Sequence, residues 1–155
     1  MKRMFALILT MAMLLSMAAC GGEAAPQKKS VDLNAVYEGY QAMLPDMFLM
    51  DADTMLNFLG IEAADCVQAI AAVSGDGLLA DEVWLIEAKD QAALERIENL
   101  AKTRLAAKED ETVSYNPEQY QVVIKAELIT EGMYLALLVS PEVETMKTQF
   151  ADALK

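Results

Sequence analysis

The sequence predicts an α+β domain, in which helices pack on a mainly antiparallel sheet of about four strands. Two stretches rich in β-branched and apolar residues, 66–89 and 127–140, are each interrupted by a glycine turn, which is typical of β-hairpins. Three other stretches repeat apolar residues at helical spacing. Because two hairpins cannot build a parallel sheet without crossover connections, the antiparallel arrangement is favoured.

Helical and strand-like segments follow each other along the whole domain. The predicted order is a helix over 31–44, a short helix over 53–59, strands over 66–74 and 81–89, a helix over 91–108, an ambiguous segment over 117–126, a hairpin over 127–140 and a last helix from Ser140. Ser30 or Asp32 is expected to cap the first helix, and Asp53 the second. Gly60 is expected to end that second helix in the left-handed conformation.

The two longest helical patterns each have an apolar face. In the helix that begins after Asp90, the inward residues are Leu94, Ile97, Ala101 and Leu105, and the solvent-facing residues are Glu95, Glu98 and Lys102. The last helix is expected to use Ser140 as its N-cap and Pro141 in its first turn. Its buried stripe would be Val143, Met146, Phe150 and Leu154.

Two segments leave a structural alternative open. Residues 117–126 fit either a helix or a strand, and a short helix is favoured because a strand-like stretch follows immediately. Residues 133–140, MYLALLVS, are apolar at both alternating sets of positions, so a strand there needs cover on both faces. Either helices lie on both sides of the sheet, or one face meets another molecule.

The N-terminal segment has the pattern of a secretory signal. A basic start precedes sixteen uncharged positions, 4–19, and the small residues Ala18 and Ala19 come directly before Cys20. A helix of that length spans about 24 Å, less than the roughly 30 Å of a hydrocarbon core. The arrangement resembles a bacterial lipoprotein precursor, in which the cysteine sulfur is diacylated and the leader is removed.

Cys20 is therefore the predicted lipid attachment residue, since two acyl chains make a stable anchor. Met17 stands where the usual lipoprotein pattern has leucine, and methionine is also apolar. An uncleaved membrane anchor and plain secretion are the alternatives. The predicted organisation is a signal peptide over 1–19, a lipidated cysteine and flexible tether over 20–30, and a single domain over 31–155. The expected location is the extracytoplasmic face of the cell membrane.

The sequence contains only two cysteines, Cys20 and Cys66. A lipidated Cys20 cannot pair with Cys66, so an internal disulfide is not expected. Cys66 has apolar neighbours, where an unpaired cysteine is usually a small buried hydrophobic residue. A reactive thiol and an intermolecular pair are the alternatives.

The charge of the chain is strongly negative. The sequence has 12 basic and 24 acidic residues, and removal of the signal would bring the net charge to −14. Such a charge argues against nucleic acid as a partner, because nucleic acid binding needs basic patches. It also opposes adhesion to anionic lipid, so the acyl chains would have to hold the protein at the membrane. We interpret the acidic residues as a solvated surface rather than a site for a basic partner.

Two short motifs mark the domain. Gly60–Glu62 form a turn of glycine, isoleucine and acid, and Lys89–Asp90 end a strand before a long helix. With their order and spacing, the chain from about residue 32 to the C-terminus resembles DUF4358, a family of small lipoproteins from Gram-positive bacteria. The resemblance implies a lipid-anchored extracytoplasmic domain. It implies no activity, cofactor or catalytic residue, because the family is one of unknown function.

The residues themselves exclude several kinds of site. The sequence has no histidine, which rules out Ser-His and Cys-His nucleophile pairs and the common zinc sites. Asp51 and Asp53 are spaced like the first two ligands of a calcium loop. Met55 and Leu56, however, occupy the positions that need a third ligand and a glycine. No catalytic residue, metal ligand or cofactor is therefore assigned.

Two further features have a structural and a functional interpretation. The run KEDET over 108–112 is expected to be a solvated loop, and a glycosidase-like carboxylate pair is the alternative. Trp84, Tyr115 and Tyr120 would suit an aromatic platform for sugar or peptide. Because Trp84 lies in a predicted strand, a packing role is favoured for it.

Two functional hypotheses of different class follow. The favoured hypothesis is a non-catalytic binding module of the cell envelope, whose partner is another envelope protein or a small ligand on an uncovered face of the sheet. The alternative is an envelope hydrolase that uses a carboxylate pair. A groove lined by apolar residues would favour binding. A pocket that holds two acids with displaced pKa values would favour hydrolysis.

Overall fold

The computed structural model describes residues 30–155, of which 31–155 form one compact unit. The predicted signal peptide, Cys20 and most of the predicted tether lie outside the described residues. Within the described part of the chain, no helix combines the length and the apolar character that a membrane span requires.

The described chain contains five α-helices, five strands and three short turns of other helical types. The helices are α1 (Leu33–Tyr40), α2 (Ala52–Thr54), α3 (Gln91–Tyr115), α4 (Pro117–Val123) and α5 (Val143–Ala153). The strands are β1 (Met47–Leu49), β2 (Cys66–Ser74), β3 (Glu82–Ala88), β4 (Glu127–Glu131) and β5 (Tyr134–Val139). The 3-10 turns are Gln41–Met43 and Ala63–Asp65, and a π-helical turn, Met55–Leu59, continues α2.

All five strands form one antiparallel sheet in the order β1-β2-β3-β5-β4. The predicted α+β class is confirmed, and so are both hairpins, β2–β3 and β4–β5. The sheet has one strand more than expected, because β1 adds to the outer edge of β2. This strand escaped prediction because it is only three residues long and its apolar residues do not alternate with polar ones.

Helices cover both faces of the sheet. On one face, Trp84, Ile86 and Leu137 pack against α3, α4 and the π-helical turn. On the other face, Leu85 and Leu138 pack against α1 and α5. The two apolar sides of β5 are explained by these two cores. The expectation that a partner docks on an uncovered sheet face is therefore wrong for this domain.

Capping residues explain where the first helices begin and end. The side chain of Asp32 accepts hydrogen bonds from two backbone N–H groups of α1, which identifies it as the N-cap. The cap of α2 is Asp51, which accepts a hydrogen bond from Thr54 N at 2.8 Å, so the expectation of Asp53 was wrong by two residues. Gly60 has a φ of 75° and ends the π-helical turn, as predicted.

The long helix α3 runs seven residues further than predicted, to Tyr115. The run over 108–112 therefore belongs to a helix and is not a solvated loop. Its first residue, Lys108, is buried although lysine is almost always exposed. The sequence pattern missed this, because the charged residues interrupt the apolar periodicity of the helix.

The C-terminal part matches the prediction except at one boundary. Residues 117–123 are helical, which settles the ambiguous segment. Helix α5 begins at Val143 with Glu142 as its N-cap residue, so Ser140 is not the N-cap. Ser140 Oγ instead accepts a hydrogen bond from Glu142 N at 3.2 Å, in the turn before the helix. The predicted apolar stripe of α5 is confirmed. Val143, Met146 and Phe150 are buried, and Leu154 is partly buried against the same core.

Candidate functional site

A groove of about 390 Å³ lies between the β2–β3 loop, residues 75–81, and the C-terminal half of α3. Phe58 of the π-helical turn and Gln119 of α4 also line it. The groove is open to solvent at the end of the sheet where β2 leads into β3. Structural elements that are far apart in the sequence thus meet at one end of the domain.

Three hydrogen bonds fix the β2–β3 loop against α3 and α4. Lys108 Nζ donates to the carbonyl oxygen of Ala80 at 2.8 Å. Asn116 Nδ2 donates to the carbonyl oxygen of Leu78 at 2.9 Å. The N–H of Ala80 donates to Gln119 Oε1 at 2.8 Å. Because each bond joins loop backbone to a helix side chain, the wall of the groove is held in one position.

Behind the groove, Glu82 is completely buried and surrounded by donors. Arg104 donates to its carboxylate through Nε and Nη2 at 2.9 to 3.1 Å. Lys108 Nζ lies 3.1 Å from Oε2, and Trp84 Nε1 donates to Oε1 at 2.8 Å. A buried carboxylate is costly unless it is paired and hydrogen-bonded, and this one is both. We call Glu82, Arg104 and Lys108 the buried triad.

Arg104 connects the buried triad to the groove. Its side chain remains partly exposed, and its guanidinium lies 5.6 Å from the ring centroid of Phe58, a cation–π distance. Phe58 belongs to the π-helical turn, a geometry that is frequent at functional sites. The turn places this aromatic ring at the groove instead of in the core.

The rim of the groove is apolar and exposed. Phe58, Leu78 and Tyr115 are 64%, 73% and 87% exposed, respectively. Side chains with this exposure contribute little to the core. Large apolar side chains that are exposed together around one groove are typical of interaction surfaces. We call these three residues the apolar rim.

Three acids line the groove, and they differ in burial. Asp76 and Glu111 are exposed, whereas Asp81 is buried. Burial raises the pKa of the Asp81 carboxyl, and its hydrogen bond with Ser140 opposes that rise. The groove therefore has one buried acid beside the buried triad.

A second ion cluster lies at the opposite end of the sheet, where β2 begins. Arg96 of α3 donates through Nε and Nη2 to the two oxygens of Asp65 at 2.9 and 2.7 Å. Lys89 Nζ lies 2.9 Å from Asp65 Oδ1. The hydrogen bonds from Arg96 and Lys89 hold the pKa of the Asp65 carboxyl well below its usual range. We call these residues the outer triad.

The comparison with protein families identifies the domain. The family described as Domain of unknown function (DUF4358) matches residues 40–140 of the chain. That stretch covers about two thirds of the sequence and includes all five strands. The chain belongs to the DUF4358 family. No curated protein and no solved structure matches the chain significantly.

The part of the chain that matches DUF4358 contains both triads and the groove, whereas most of α1 and all of α5 fall outside it. The predicted lipid attachment residue, Cys20, lies before the match and outside the described residues. Cys66, at the start of β2, is half-buried, and its thiol donates to the carbonyl oxygen of Glu62 at 3.6 Å. Burial raises the pKa of this thiol, which disfavours the nucleophilic thiolate.

The aromatic residues singled out in the sequence do not form a platform. Trp84 is completely buried within the DUF4358 core, which confirms the packing role. Tyr115 belongs to the apolar rim, and Tyr120 is half-buried, with its hydroxyl 3.5 Å from Glu109 Oε1. Among residues 30–155, no three Asp, Glu, Cys or His side chains lie together as a group that could hold a metal ion.

Sequence reasoning missed the buried triad. Glu82 directly precedes four consecutive apolar residues, 83–86, which is the one local sign that its carboxylate needs a partner. Arg104 and Lys108 are four residues apart and so share one face of a helix, which is a second sign. Neither sign identifies the pairing, because it depends on how α3 packs on β3 in the DUF4358 fold.

Proposed function

We propose that this protein is a lipid-anchored, extracytoplasmic binding module of the cell envelope, without catalytic activity, and that the groove is its binding surface. The observation that carries the proposal is the apolar rim, because it leaves three large side chains exposed around one groove. The partner is another envelope protein or a small ligand. Cys20 is the proposed attachment point of the lipid.

The position of the groove supports this arrangement. The chain enters the domain at Val31, whose N–H donates to the hydroxyl oxygen of Tyr134 at 3.1 Å and whose carbonyl oxygen accepts from Gln68 Nε2 at 2.8 Å. Gln68 lies near the start of β2, and Ser74, which lines the groove, lies at its end. Ser74 lies six positions further along the strand than Gln68, a distance of about 20 Å. The residue at which the chain enters the domain therefore lies at the end of β2 opposite the groove.

The chemistry of the groove favours binding over hydrolysis. A carboxylate-dependent hydrolase needs two acids with distinct protonation states near one substrate bond. Glu82 accepts hydrogen bonds from Trp84 and Arg104 and forms an ion pair with Lys108. Asp81 is the single buried acid that lines the groove. The fixed loop and the apolar rim instead suit a preformed binding surface, which loses little conformational entropy when it binds.

Site-specific photo-crosslinking in producing cells tests the proposal. A benzophenone amino acid replaces Leu78 in the rim and, in a matched control, Val67, which is 61% exposed at the opposite end of β2. We expect a discrete crosslinked adduct from position 78 and none from position 67. Competition by unlabelled wild-type protein should reduce the adduct. Equal adducts from both positions, or no adduct from position 78, would contradict the proposal.

A further inference from the structure

The outer edge of β1 has unused backbone hydrogen-bonding groups. Met50 N donates to the carbonyl oxygen of Ala71 and Gly75 N donates to that of Asp46, so residues 46 and 50 are bonded to β2. Bonded and non-bonded pairs alternate in antiparallel strands. It follows that the N–H and C=O groups of Met47 and Leu49 point away from β2, towards solvent. This edge can accept a further strand.

The two edges of the sheet differ in how they present side chains. In β4, Leu128 and Ile129 pack against the two cores, and Glu127 forms an ion pair with Lys147. In β1, by contrast, Phe48 and Leu49 are more than half exposed. Charges and short length normally protect an edge strand from association. The edge at β1 is short, but it has exposed apolar side chains and no lysine.

A cavity lies next to this edge, on the face of the sheet that α1 covers. Its volume is about 230 Å³, and its lining includes Tyr37, Leu44, Pro45, Met47 and Leu49. In an antiparallel pair, side chains directly opposite each other share a face. An added strand would therefore place the residue opposite Leu49 on the side of the sheet where the cavity lies.

The negative charge around this edge favours a positively charged partner. Residues 30–64, which include α1 and β1, contain six acidic residues and no lysine or arginine, and β2 contains no charged residue. Asp46 and Asp51 flank β1 on both sides and are exposed. A second copy of the same edge would bring these carboxylates together, which is unfavourable. A strand that has lysine or arginine would instead be attracted.

We infer that the β1 edge binds an extended peptide segment of a basic polypeptide by strand addition, with one apolar side chain in the cavity beside Leu49. Main-chain hydrogen bonds would supply the affinity. The cavity and the acidic residues on both sides of β1 would supply the specificity. The β1 edge and its cavity share no lining residue with the groove. A negative result for this inference would therefore leave the proposed function of the groove unaffected, and the reverse also holds.

The experiment measures binding of a fluorescent heptapeptide of alternating lysine and valine to the full chain in detergent, at low salt. Two control peptides are matched to it: one has every backbone nitrogen methylated, and the other has glutamate in place of lysine. We expect the methylated peptide to bind at least tenfold more weakly and the glutamate peptide not to bind. Methylation keeps the positive charge and removes the main-chain donors, so it separates strand addition from simple charge attraction.

Leu49→Pro tests the edge on the protein side, because proline removes one outward N–H and is tolerated in edge strands. Binding should fall at least tenfold in Leu49→Pro and by less than threefold in the control Leu49→Thr. Leu78→Ser, in the groove rim, should leave peptide binding unchanged. If Leu49→Pro does not fold, the methylated peptide still decides the question with the wild-type protein.

Three outcomes would overturn the inference. The first is equal binding of the methylated peptide, and the second is no binding of the lysine peptide. The third is a wild-type dimer in sedimentation that Leu49→Pro abolishes, because the edge would then be occupied by a second copy of this chain.

Discussion

The buried triad and the outer triad each consist of one carboxylate, one arginine and one lysine, but the cations of the two triads differ in their exposure to solvent. Each joins one carboxylate of the sheet region to two cations, with a bidentate arginine from α3 in both. The side chains of Lys89 and Arg96 are 42% and 53% exposed, whereas those of Arg104 and Lys108 are 26% and 10% exposed. The Asp65 and Glu82 carboxylates are both buried, so the triads differ in their cations, which face water in the outer triad and lie behind the groove in the buried triad.

Because of this difference, loss of a single member should cost more stability in the buried triad than in the outer triad. Exposed ion pairs contribute little to stability and are screened by salt. A buried pair contributes little net stability as a unit, but removal of one partner leaves an uncompensated charge. The buried triad therefore makes the groove wall dependent on all three of its members. The outer triad joins α3 to the start of β2 without that dependence.

The largest expected effect is from Glu82→Gln. The substitution leaves Arg104 and Lys108 without a countercharge beside the core, and we expect the free energy of unfolding to fall by about 3 kcal/mol. Urea unfolding followed by circular dichroism measures this. Glu95→Gln, on the exposed face of α3, is the control and should stay within about 0.5 kcal/mol of wild type. Equal stability of the two variants would show that the domain does not depend on the Glu82 carboxylate.

Lys108→Met should have the next largest effect. Methionine retains most of the buried aliphatic stem but leaves the carbonyl oxygen of Ala80 without its donor, at a cost of about 1 to 2 kcal/mol. Hydrogen exchange should become faster in the loop 75–81, because one of its three fixed points is lost. Lys102→Met, which removes an exposed ion pair with Glu98, is the control and should change neither quantity appreciably. Unchanged loop exchange in Lys108→Met would show that the groove wall does not depend on the triad.

Asp65→Asn should destabilise the domain less than Glu82→Gln and in a pH-dependent way. The pKa of Asp65 is lowered in the folded state, so its contribution to stability is present above the unfolded pKa of about 3.9. That contribution is lost as the pH falls through the folded pKa. Unfolding measured at pH 7, 5 and 3 should show the gap to wild type beginning to narrow at pH 3, and the gap should also narrow at 1 M NaCl. A gap independent of pH and salt would contradict this account.

The smallest effect is expected from Asp81→Asn. Burial raises the pKa of Asp81, so the folded state binds its proton more tightly than the unfolded chain. Wild-type stability therefore falls as the pH rises from about 3.9 through the folded pKa. The variant lacks this loss, and its stability relative to wild type should increase over the same interval. If the relative stability of the variant decreases with pH, attraction by a cation outweighs the effect of burial on the pKa of Asp81.

The fold was more predictable than the candidate site because the two depend on different kinds of information. β2 and Gly60 follow from local rules, namely a β-branched run and a left-handed terminator. β1 was missed because it is defined by pairing with β2, not by its own three residues. The burial of Lys108, which was predicted to end a helix and to begin a solvated run, was missed because it depends on a partner 26 positions earlier in the chain. Long-range pairing of charges has no sequence period, so the buried triad required the structure.

The most direct test of the anchored binding module is the intact mass of the protein extracted in detergent from the membranes of a producing cell. The account predicts a chain that begins at Cys20 and has the added mass of acyl chains on that residue. Cys20→Ser should abolish both the processing and the added mass. A full-length chain that keeps residues 1–19 and has an unmodified Cys20 thiol would contradict the central claim.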